Sequence, residues 1–149
     1  MAILVFILSF VGTEFAGWLT HKYLMHGFLW NLHADHHDPH KGGLQKNDSF
    51  ALIFAIPSFF SIFCGHQLGF PLLAVAGYGV MAYGFVYFIV HESIIHRRFR
   101  FIRGRGAYFR ALIVAHAHHH LNRGKNDSKN FGMLIVPPKY FRDSFSRKS

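Results

Sequence analysis

The chain is poor in cysteine and in charged residues. Cys64 is its single cysteine, which excludes an internal disulfide and a cysteine-based metal site such as an iron–sulfur centre. Charged residues make up 15% of the 149 residues, whereas 51% are hydrophobic and 17% are aromatic, so the composition differs from that of a disordered chain. By its length the chain is expected to form a single domain over residues 1–149.

Lysine and arginine are missing from two long parts of the chain. None occurs before Lys22 and none between Lys46 and Arg97, so all sixteen lie within residues 22–46 or 97–148. The formal net charge of +9 would favour nucleic-acid binding if the chain were soluble. Basic blocks separated by apolar blocks are instead typical of membrane proteins that follow the positive-inside rule. We therefore expect membrane lipid, and no nucleic acid, as a partner.

Three apolar stretches are long enough to cross a bilayer as helices at about 1.5 Å per residue. They are residues 2–20, 49–69 and 70–90. A cleaved signal peptide is the alternative for the first stretch, but no basic residue precedes it and histidines follow it directly, which disfavours cleavage. The expected fold class is all-α, an integral membrane helical bundle of about three crossings, with four left open.

Small residues and a proline mark the second and third stretches. Pro57 is expected to kink the second helix or to end it a turn early. Gly77, Gly79 and Gly84 are expected to permit close packing of the third helix.

The chain after the third stretch is mixed in composition. Residues 108–115 are interpreted as a short interfacial helix, and residues 131–136 as a loop that lies on the membrane surface. Residues 144–149 are expected to be a frayed tail.

Ten of the thirteen histidines fall into four short boxes. Neutral imidazole is the commonest protein ligand for first-row metals, and one zinc ion would use four ligands at most. Ten imidazoles, five from each half of the chain, therefore predict two metal ions. The boxes that supply these candidate ligands are His21-x4-His26, His33-x2-His36-His37, His91-x4-His96 and His116-x2-His119-His120.

The spacing within the boxes predicts which histidines meet. Residues three and four apart share a face of an α-helix, so the three histidines of each His-x2-His-His box are expected to converge. Five-residue spacing, as in His21 and His26, rotates by about 140° on an α-helix. Such a pair would flank a metal cavity or straddle a bend in the helix.

Three histidines lie outside this pattern. His40, His66 and His118 are expected not to be ligands, and His66 would lie on the opposite side of the membrane. The run from His116 to His120 leaves open whether His118 replaces a neighbour.

Three crossings would place all four boxes and all sixteen basic residues on the inner face of the membrane, with the N-terminus outside. An even number of crossings would separate the boxes unless a segment re-entered. Few carboxylates lie among the ligands, which disfavours calcium and magnesium. Zinc, iron, copper and nickel all accept imidazole, and spacing alone does not separate iron from zinc.

Metal-bound histidines need acceptors for their second ring N–H. The candidates for this supporting role are Glu14, Asp35, Asn47, Asp48, Glu92 and Asp127. Glu14 stands inside an apolar stretch, seven residues before His21 and on the same helical stripe. Carboxylates within a membrane are costly and usually functional, so we favour a supporting role over a neutral, hydrogen-bonded interface residue.

These boxes and their surroundings resemble those of the histidine-box membrane di-iron hydroxylases, the fatty acid hydroxylase and sterol desaturase superfamily. Within it, the bacterial β-carotene 3-hydroxylases are the most similar group. The resemblance covers residues 14–140. It is carried by the segment from Glu14 to His37, by Asn47-Asp48, by Val90-His-Glu-Ser-Ile-Ile-His-Arg-Arg98 and by Phe131-Gly-Met-Leu134.

The resemblance implies an enzyme of carotenoid biosynthesis. It implies two ferrous ions, dioxygen as co-substrate and electrons from a reduced ferredoxin-like donor. The expected reaction hydroxylates carbon 3 of β-ionone rings, turning β-carotene taken from the bilayer into β-cryptoxanthin and then zeaxanthin. The resemblance further implies a location in a bacterial inner membrane, with the histidine boxes on the cytoplasmic side. The five arginines between Arg97 and Arg105 are expected to attract an acidic electron carrier or anionic lipid headgroups.

Other functions remain open. A fatty-acid or sterol hydroxylase, a desaturase or a carotenoid ketolase would use the same ligands. A metal transporter would place polar ligands near the bilayer midplane, and a membrane cytochrome would need histidine pairs within facing helices. Both disagree with boxes that follow the apolar stretches. Oligomeric state is not predicted.

Overall fold

The computed structural model describes residues 1–38, 43–126 and 128–146, apart from the side chain of Ser146. Two residues named above, His40 and Asp127, lie outside the described residues. All regular structure in the described part is helical, in agreement with the predicted fold class. The α-helices are α1 (Ala2–Leu19), α2 (Trp30–His33), α3 (Ala51–Gln67), α4 (Pro71–Phe88), α5 (Ala107–His120) and α6 (Pro138–Ser146).

Three helices are long and apolar enough to cross a membrane, and the described residues contain no fourth. With the helical turns that adjoin them, they cover Ala2–Phe28, Lys46–Gln67 and Pro71–Ile95. The sequence therefore predicts the number of spans correctly, but each helix extends beyond its apolar stretch. The first and third helices continue directly into the polar residues of a histidine box, so the box is built on the end of the helix itself.

Both of these continuations are π-helical, with backbone hydrogen bonds between residues five apart. They cover Thr20–Phe28 after α1 and Ile89–Ile95 after α4. The amide of His96, for example, donates to the carbonyl of His91 at 2.9 Å. A π-turn brings residues five apart onto one side. The rotation of about 140° that an α-helix would give between these histidines therefore does not apply here. The rings of His91 and His96 have centroids 4.5 Å apart.

Helix α4 lies between α1 and α3 and packs against both. A Cβ at Gly77 would come within 2.7 Å of the Ile62 side chain on α3, and a Cβ at Gly79 within 2.7 Å of the Phe6 carbonyl oxygen on α1. These two glycines permit close packing, as predicted. The prediction is wrong for Gly84, because a Cβ there would meet nothing within 4 Å.

Pro57 does not end the second helix early, since α3 continues through it to Gln67. The outer faces of the three long helices expose large apolar side chains, including Leu4, Phe15, Phe60 and Phe85. Such a continuous apolar surface fits contact with lipid rather than with water.

The last two helices pack against each other at the histidine end. Tyr140 on α6 is 1% exposed and packs against Ala111 and Ala115 of α5. The tail expected over residues 144–149 is wrong for residues 144–146, which belong to α6. Ser144 is buried, and its hydroxyl donates to the Phe141 carbonyl at 2.7 Å. Residues 147–149 lie outside the described part.

Candidate metal centre

The ten box histidines gather at one end of the helix bundle, as two adjoining clusters. In each cluster, four ring nitrogens lie within 4.8 Å of one another. The first cluster holds His21, His26, His33 and His119, and the second holds His36, His96, His116 and His120.

Each cluster has a fifth histidine beside it. The Nε2 of His37 lies 3.2 Å from the Nε2 of His33, in the first cluster. The ring of His91 lies among the second cluster, with its centroid 4.8 Å from those of His36 and His116. The two clusters therefore take five of the ten histidines each. They adjoin where the rings of His37 and His120 stack with centroids 4.3 Å apart.

The two His-x2-His-His boxes each contribute to both clusters. The first and last histidines of a box are four residues apart and share a helical stripe, whereas the middle one is rotated by about 100° from the last. His36 consequently joins the second cluster, and His119 joins the first. The expectation that all three histidines of a box converge on one point is wrong. Each half of the chain therefore contributes one histidine to the cluster that the other half mainly forms.

The outer ring nitrogens of most of these histidines face groups that only accept hydrogen bonds. In the first cluster, Nδ1 of His21 donates to the Phe131 carbonyl at 3.0 Å, and Nδ1 of His33 donates to Oδ1 of Asn47 at 2.6 Å. A carbonyl oxygen has no proton to give, so the proton of each neutral ring is held on Nδ1. The Nε2 of each ring is then left as a bare lone pair.

Those lone pairs point at one another. Nε2 of His21 lies 3.2 Å from Nε2 of His33, and Nε2 of His26 lies 3.2 Å from that of His119. Two neutral acceptors at this distance repel unless a cation lies between them. Imidazole nitrogens that share one ion at about 2.0–2.1 Å are themselves about 3.0–3.4 Å apart. The donor set therefore fits two metal ions bound through Nε2.

Burial keeps the imidazoles in the neutral form that binds metal. It is the main cause that lowers the pKa of His33 to about 2 and that of His119 to about 2. Burial likewise lowers the pKa of His96 to about 3 and that of His37 to about 4, with neighbouring cationic rings as a further cause. The pKa values of His36, His116 and His120 also lie below the ordinary value for the same main reason.

Two of the predicted supporting residues contact a histidine directly. Asn47 accepts from His33, as described, and Oε1 of Glu92 accepts from Nδ1 of His91 at 2.6 Å. The other carboxylate oxygen of Glu92 lies 3.0 Å from Nε of Arg98, whose Nη2 donates to Asp48 at 2.8 Å. Arg98 thus joins the 3₁₀-helical turn that carries Asn47 and Asp48 to the π-helical turn that carries Glu92.

Asp48 and Asp35 support the site through the backbone. Oδ2 of Asp48 accepts from the amide of Gln45, and the Gln45 side chain accepts from Nδ1 of His36, both at 3.0 Å. Asp35 accepts from the amide of Lys46 at 2.8 Å. Both acids therefore shape the segment that supplies Gln45 and Asn47.

Glu14 has a different role from the one predicted. It is buried, and within the described part of the chain its hydrogen bonds go to Tyr83 and to backbone amides of residues 133–135, not to a histidine ring. The carboxylate holds the segment that begins with Phe131, and the Phe131 carbonyl accepts from His21. Glu14 acts on the site through this segment.

Several partners have no counterpart in the sequence prediction. The carbonyls of Lys125, Lys129 and Asn122 accept from Nδ1 of His26, His119 and His37 respectively. Every residue has a carbonyl, so the sequence carries no signal for these partners. Gln45 could have been found from its position two residues before Asn47.

The described histidines outside the boxes lie away from the clusters, as predicted. His66, near the far end of α3, is exposed and lies 3.0 Å from the Tyr78 hydroxyl. His118 packs against Tyr140 of α6, with ring centroids 5.3 Å apart. Within the fourth box, His116, His119 and His120 therefore face the clusters and His118 does not.

An apolar cavity of about 660 Å³ leads from between the long helices to the clusters. His21, His33, His36 and His91 form its end, so it touches histidines of both clusters. Its wall on α3 is one continuous helical stripe: Ala51, Phe54, Ala55, Ser58, Phe59 and Ile62. We call this cavity the apolar chamber.

A second cavity, of about 510 Å³, is more polar and reaches the second cluster. Its lining includes His96, His120, Glu92, Arg98 and Arg123. The site therefore has an apolar approach and a charged one. Such a pair of approaches suits a reaction that joins a lipid-soluble substrate to water-soluble reactants.

Comparison with known proteins identifies the family. The profile of the fatty acid hydroxylase family matches residues 6–138. The "Beta-carotene hydroxylase" of Pantoea ananas is 42% identical over 139 residues, which cover 92% of this chain and 78% of that protein. Proteins of the same name from Pseudescherichia vulneris and Paracoccus sp. (strain PC1) are 40% and 35% identical, covering 89% and 91% of this chain and 76% and 84% of theirs. No solved structure matches the chain. We conclude that the chain is an enzyme of the fatty acid hydroxylase family.

Proposed function

We propose that this enzyme hydroxylates carbon 3 of the β-ionone rings of β-carotene and yields zeaxanthin by way of β-cryptoxanthin. The bacterial relatives that it resembles are named β-carotene hydroxylases, and a chloroplast relative from Gentiana lutea, 35% identical over 133 residues, is named for hydroxylation at carbon 3. One observation carries the proposal. The apolar chamber between the membrane-spanning helices ends at histidines of both clusters.

The reaction joins one C–H bond, one dioxygen molecule, two electrons and two protons, and gives one C–OH group and one water. Two iron ions held by the ten histidines would supply the activation of dioxygen that an unactivated C–H bond requires. Iron is favoured over zinc because zinc has no redox chemistry. The first ion would be held by His21, His26, His33, His37 and His119, and the second by His36, His91, His96, His116 and His120.

The protein residues orient the site and keep water away from it. Asn47 and the Phe131 carbonyl hold the protons of His33 and His21 on Nδ1, and so direct both Nε2 atoms inward. The apolar chamber admits the ring and excludes water, since Phe54, Phe59 and Ile62 line it. A dry site strengthens the electrostatic interactions within it.

We further propose that a reduced ferredoxin-type protein supplies the electrons from the side of the charged cavity. Arg97, Arg100, Arg103 and Arg105 are exposed in the segment that follows the third helix. A cluster of arginines attracts an acidic protein over a distance of about a Debye length. Arg98 is not part of this exposed group, because it pairs with Asp48 and Glu92.

The proposed location is the bacterial inner membrane, with the histidine clusters on the cytoplasmic side. The concentration of lysine and arginine at that end of the bundle supports this orientation. A reporter fused after residue 146 and another inserted in the loop between α3 and α4 would test it. The first should be active in the cytoplasm and the second in the periplasm.

Pigment analysis tests the proposed reaction. Cells that make β-carotene and express this chain should accumulate β-cryptoxanthin and zeaxanthin, and cells with an empty vector should accumulate neither. Canthaxanthin would indicate a ketolase. Unchanged β-carotene, with the protein present in the membrane and loaded with iron, would overturn the proposal.

A further inference from the structure

Helices α3 and α4 touch at their far ends and separate toward the histidines. A Cβ at Gly65 of α3 would come within 2.5 Å of the Ala74 amide nitrogen on α4, and the Ser58 hydroxyl donates to the Gly77 carbonyl at 2.9 Å. Beyond this contact the apolar chamber lies between the two helices, lined by Phe54 and Ala55 of α3 and by Gly84 of α4. Ser58 itself lines the apolar chamber, so the chamber begins where the close contact ends.

Gly84 stands in the separated part. It lines the apolar chamber, yet a Cβ built on it would meet no atom within 4 Å. Glycine is costly in a helix interior, and here it does not permit a helix contact, as Gly77 does. What the missing side chain provides is volume inside the chamber.

Gly84 lies close enough to the histidines for this volume to hold the part of the substrate next to the reacting carbon. Gly84 precedes His91 by seven residues on one helical run, which is about 10 Å at 1.5 Å per residue. Side chains on a helix lean toward its N-terminus, so the imidazole of His91 spans part of this distance, and a ring whose carbon 3 lies at the histidines would have its methyl-bearing carbons near Gly84. This is the widest part of the substrate, because one ring carbon carries two methyl groups.

The wall beside Gly84 is held firmly. The ring of Tyr87 stacks on His91 at a centroid distance of 4.9 Å and an angle of 15°, and Tyr83 donates to the buried Glu14. Side chains fixed in this way do not move aside to make room, since packed interiors respond to added volume with strain. The width at this point therefore depends on residue 84 itself.

From this geometry we infer that Gly84 determines specificity: it gives the apolar chamber the width needed for a methyl-substituted ring. The inference rests on the proposed function and adds the residue that selects a ringed substrate. A larger residue at position 84 narrows the chamber to the width of an unbranched chain and excludes the ring.

The test is a series of substitutions, Gly84→Ala, Gly84→Val and Gly84→Leu, in cells that make β-carotene. We expect turnover of β-carotene to fall stepwise, by about tenfold for the valine variant and about a hundredfold for the leucine variant, because one methylene in an apolar pocket changes specificity by about 10- to 200-fold. The β-carotene that co-purifies with the protein in detergent, measured by its absorbance, should fall in the same order. Bound iron should stay at the wild-type level.

Gly12→Leu is the matched control. Gly12 lies on α1, is exposed, has no atom within 4 Å of a Cβ and does not line the chamber. This variant should hydroxylate and bind β-carotene as the wild type does. If the wild-type chain makes no zeaxanthin, the proposed function fails. If the wild type is active and Gly84→Leu matches it in turnover and in bound β-carotene, the inference about Gly84 is wrong. Loss of iron from both the valine and the leucine variants would also overturn it, because Gly84 would then support the metal site.

Discussion

The phenol of Tyr83, on α4, donates a hydrogen bond of 2.6 Å to the carboxylate of Glu14, on α1. The same carboxylate accepts the amides of residues 133–135 at 3.0–3.1 Å. Four donors around one buried acid satisfy its charge within an apolar surrounding. Glu14 therefore ties two membrane-spanning helices to the segment that follows the fourth histidine box.

Replacing Glu14 should loosen that segment and, with it, the first histidine cluster. In Glu14→Ala, the amides of residues 133–135 lose their acceptor, and the loss at the buried Met133 alone costs about 1–3 kcal/mol. We expect lower stability in detergent and iron loss that is confined to the first cluster, measured by metal analysis and by Mössbauer spectroscopy. Tyr83→Phe removes one donor and leaves the backbone bonds, so its effect should be clearly smaller. Equal iron content in Glu14→Ala and wild type would contradict this coupling.

Because each His-x2-His-His box contributes to both clusters, substitutions of the middle histidine of one box and of the other should affect different metal ions. His119 lies in the fourth box but in the first cluster, and His36 lies in the second box but in the second cluster. Each alanine variant should abolish hydroxylation and destabilise the ion of its own cluster, which metal analysis and spectroscopy would distinguish. His118→Ala is the control on the same helix, because that ring faces Tyr140. Full turnover by His119→Ala would refute the ligand assignment.

Asn47 is expected to hold the ring of His33 in its orientation and not to bind metal itself. In Asn47→Leu the Nδ1 proton of His33 loses its acceptor, and loss of such a partner costs about 10- to 100-fold in metal affinity. Competition with a chelator measures that affinity. Asn31→Ala is the control, since Asn31 is exposed on the short helix α2 that also carries His33. Asn47→Asp keeps an acceptor and should restore most of the affinity.

The metal-free protein should lose stability as the pH falls below the ordinary histidine value of 6.5. Burial lowers the pKa of His33 to about 2 and that of His96 to about 3, so the folded protein keeps both neutral in mild acid. The unfolded chain binds protons there and the folded chain does not. Stability therefore rises with pH up to about 6.5, is fully present above it, and decreases as the pH falls toward the folded pKa values. Thermal unfolding in detergent with a chelator, from about pH 7 to about pH 4, measures the trend. The decrease in melting temperature with falling pH should be shallower in His33→Asn. A pH-independent melting temperature would contradict the prediction.

The exposed arginines should govern the interaction with the proposed ferredoxin-type electron donor. Charge reversal at Arg103 and Arg105, which are exposed, should raise the KM for reduced ferredoxin and leave kcat nearly unchanged, since such charges mainly affect association. The difference from wild type should shrink at high salt because ions screen surface charges. Arg142→Glu, an exposed reversal on α6, is the control. A fall in kcat with no change in KM would argue against docking at this surface.

The membrane helices and the candidate ligands could be read from the residues because each depends on local chemistry. Nineteen or more apolar residues favour a bilayer whatever surrounds them, and ten imidazoles in short boxes serve few purposes besides metal binding. Glu92 was also predictable as an acceptor because it lies within a box, whereas Asn47 stands ten residues after the nearest one. In contrast, α6 was missed because its stability depends on packing Tyr140 against α5, not on an apolar stretch of its own.

Other features arise only when distant parts of the chain meet. The division of each His-x2-His-His box between two clusters requires helix ends from both halves to face one another, and the π-helical turns that align His21 with His26 depend on that assembly. The same holds for Glu14, whose backbone partners lie about 120 residues further along. Gly77 and Gly84 are both glycines of α4, but Gly77 lies against α3 whereas Gly84 faces the apolar chamber. Residue chemistry thus settles what can bind metal and what can cross lipid, whereas the packing of the helices determines which atoms meet, because distance and direction are properties of the folded chain.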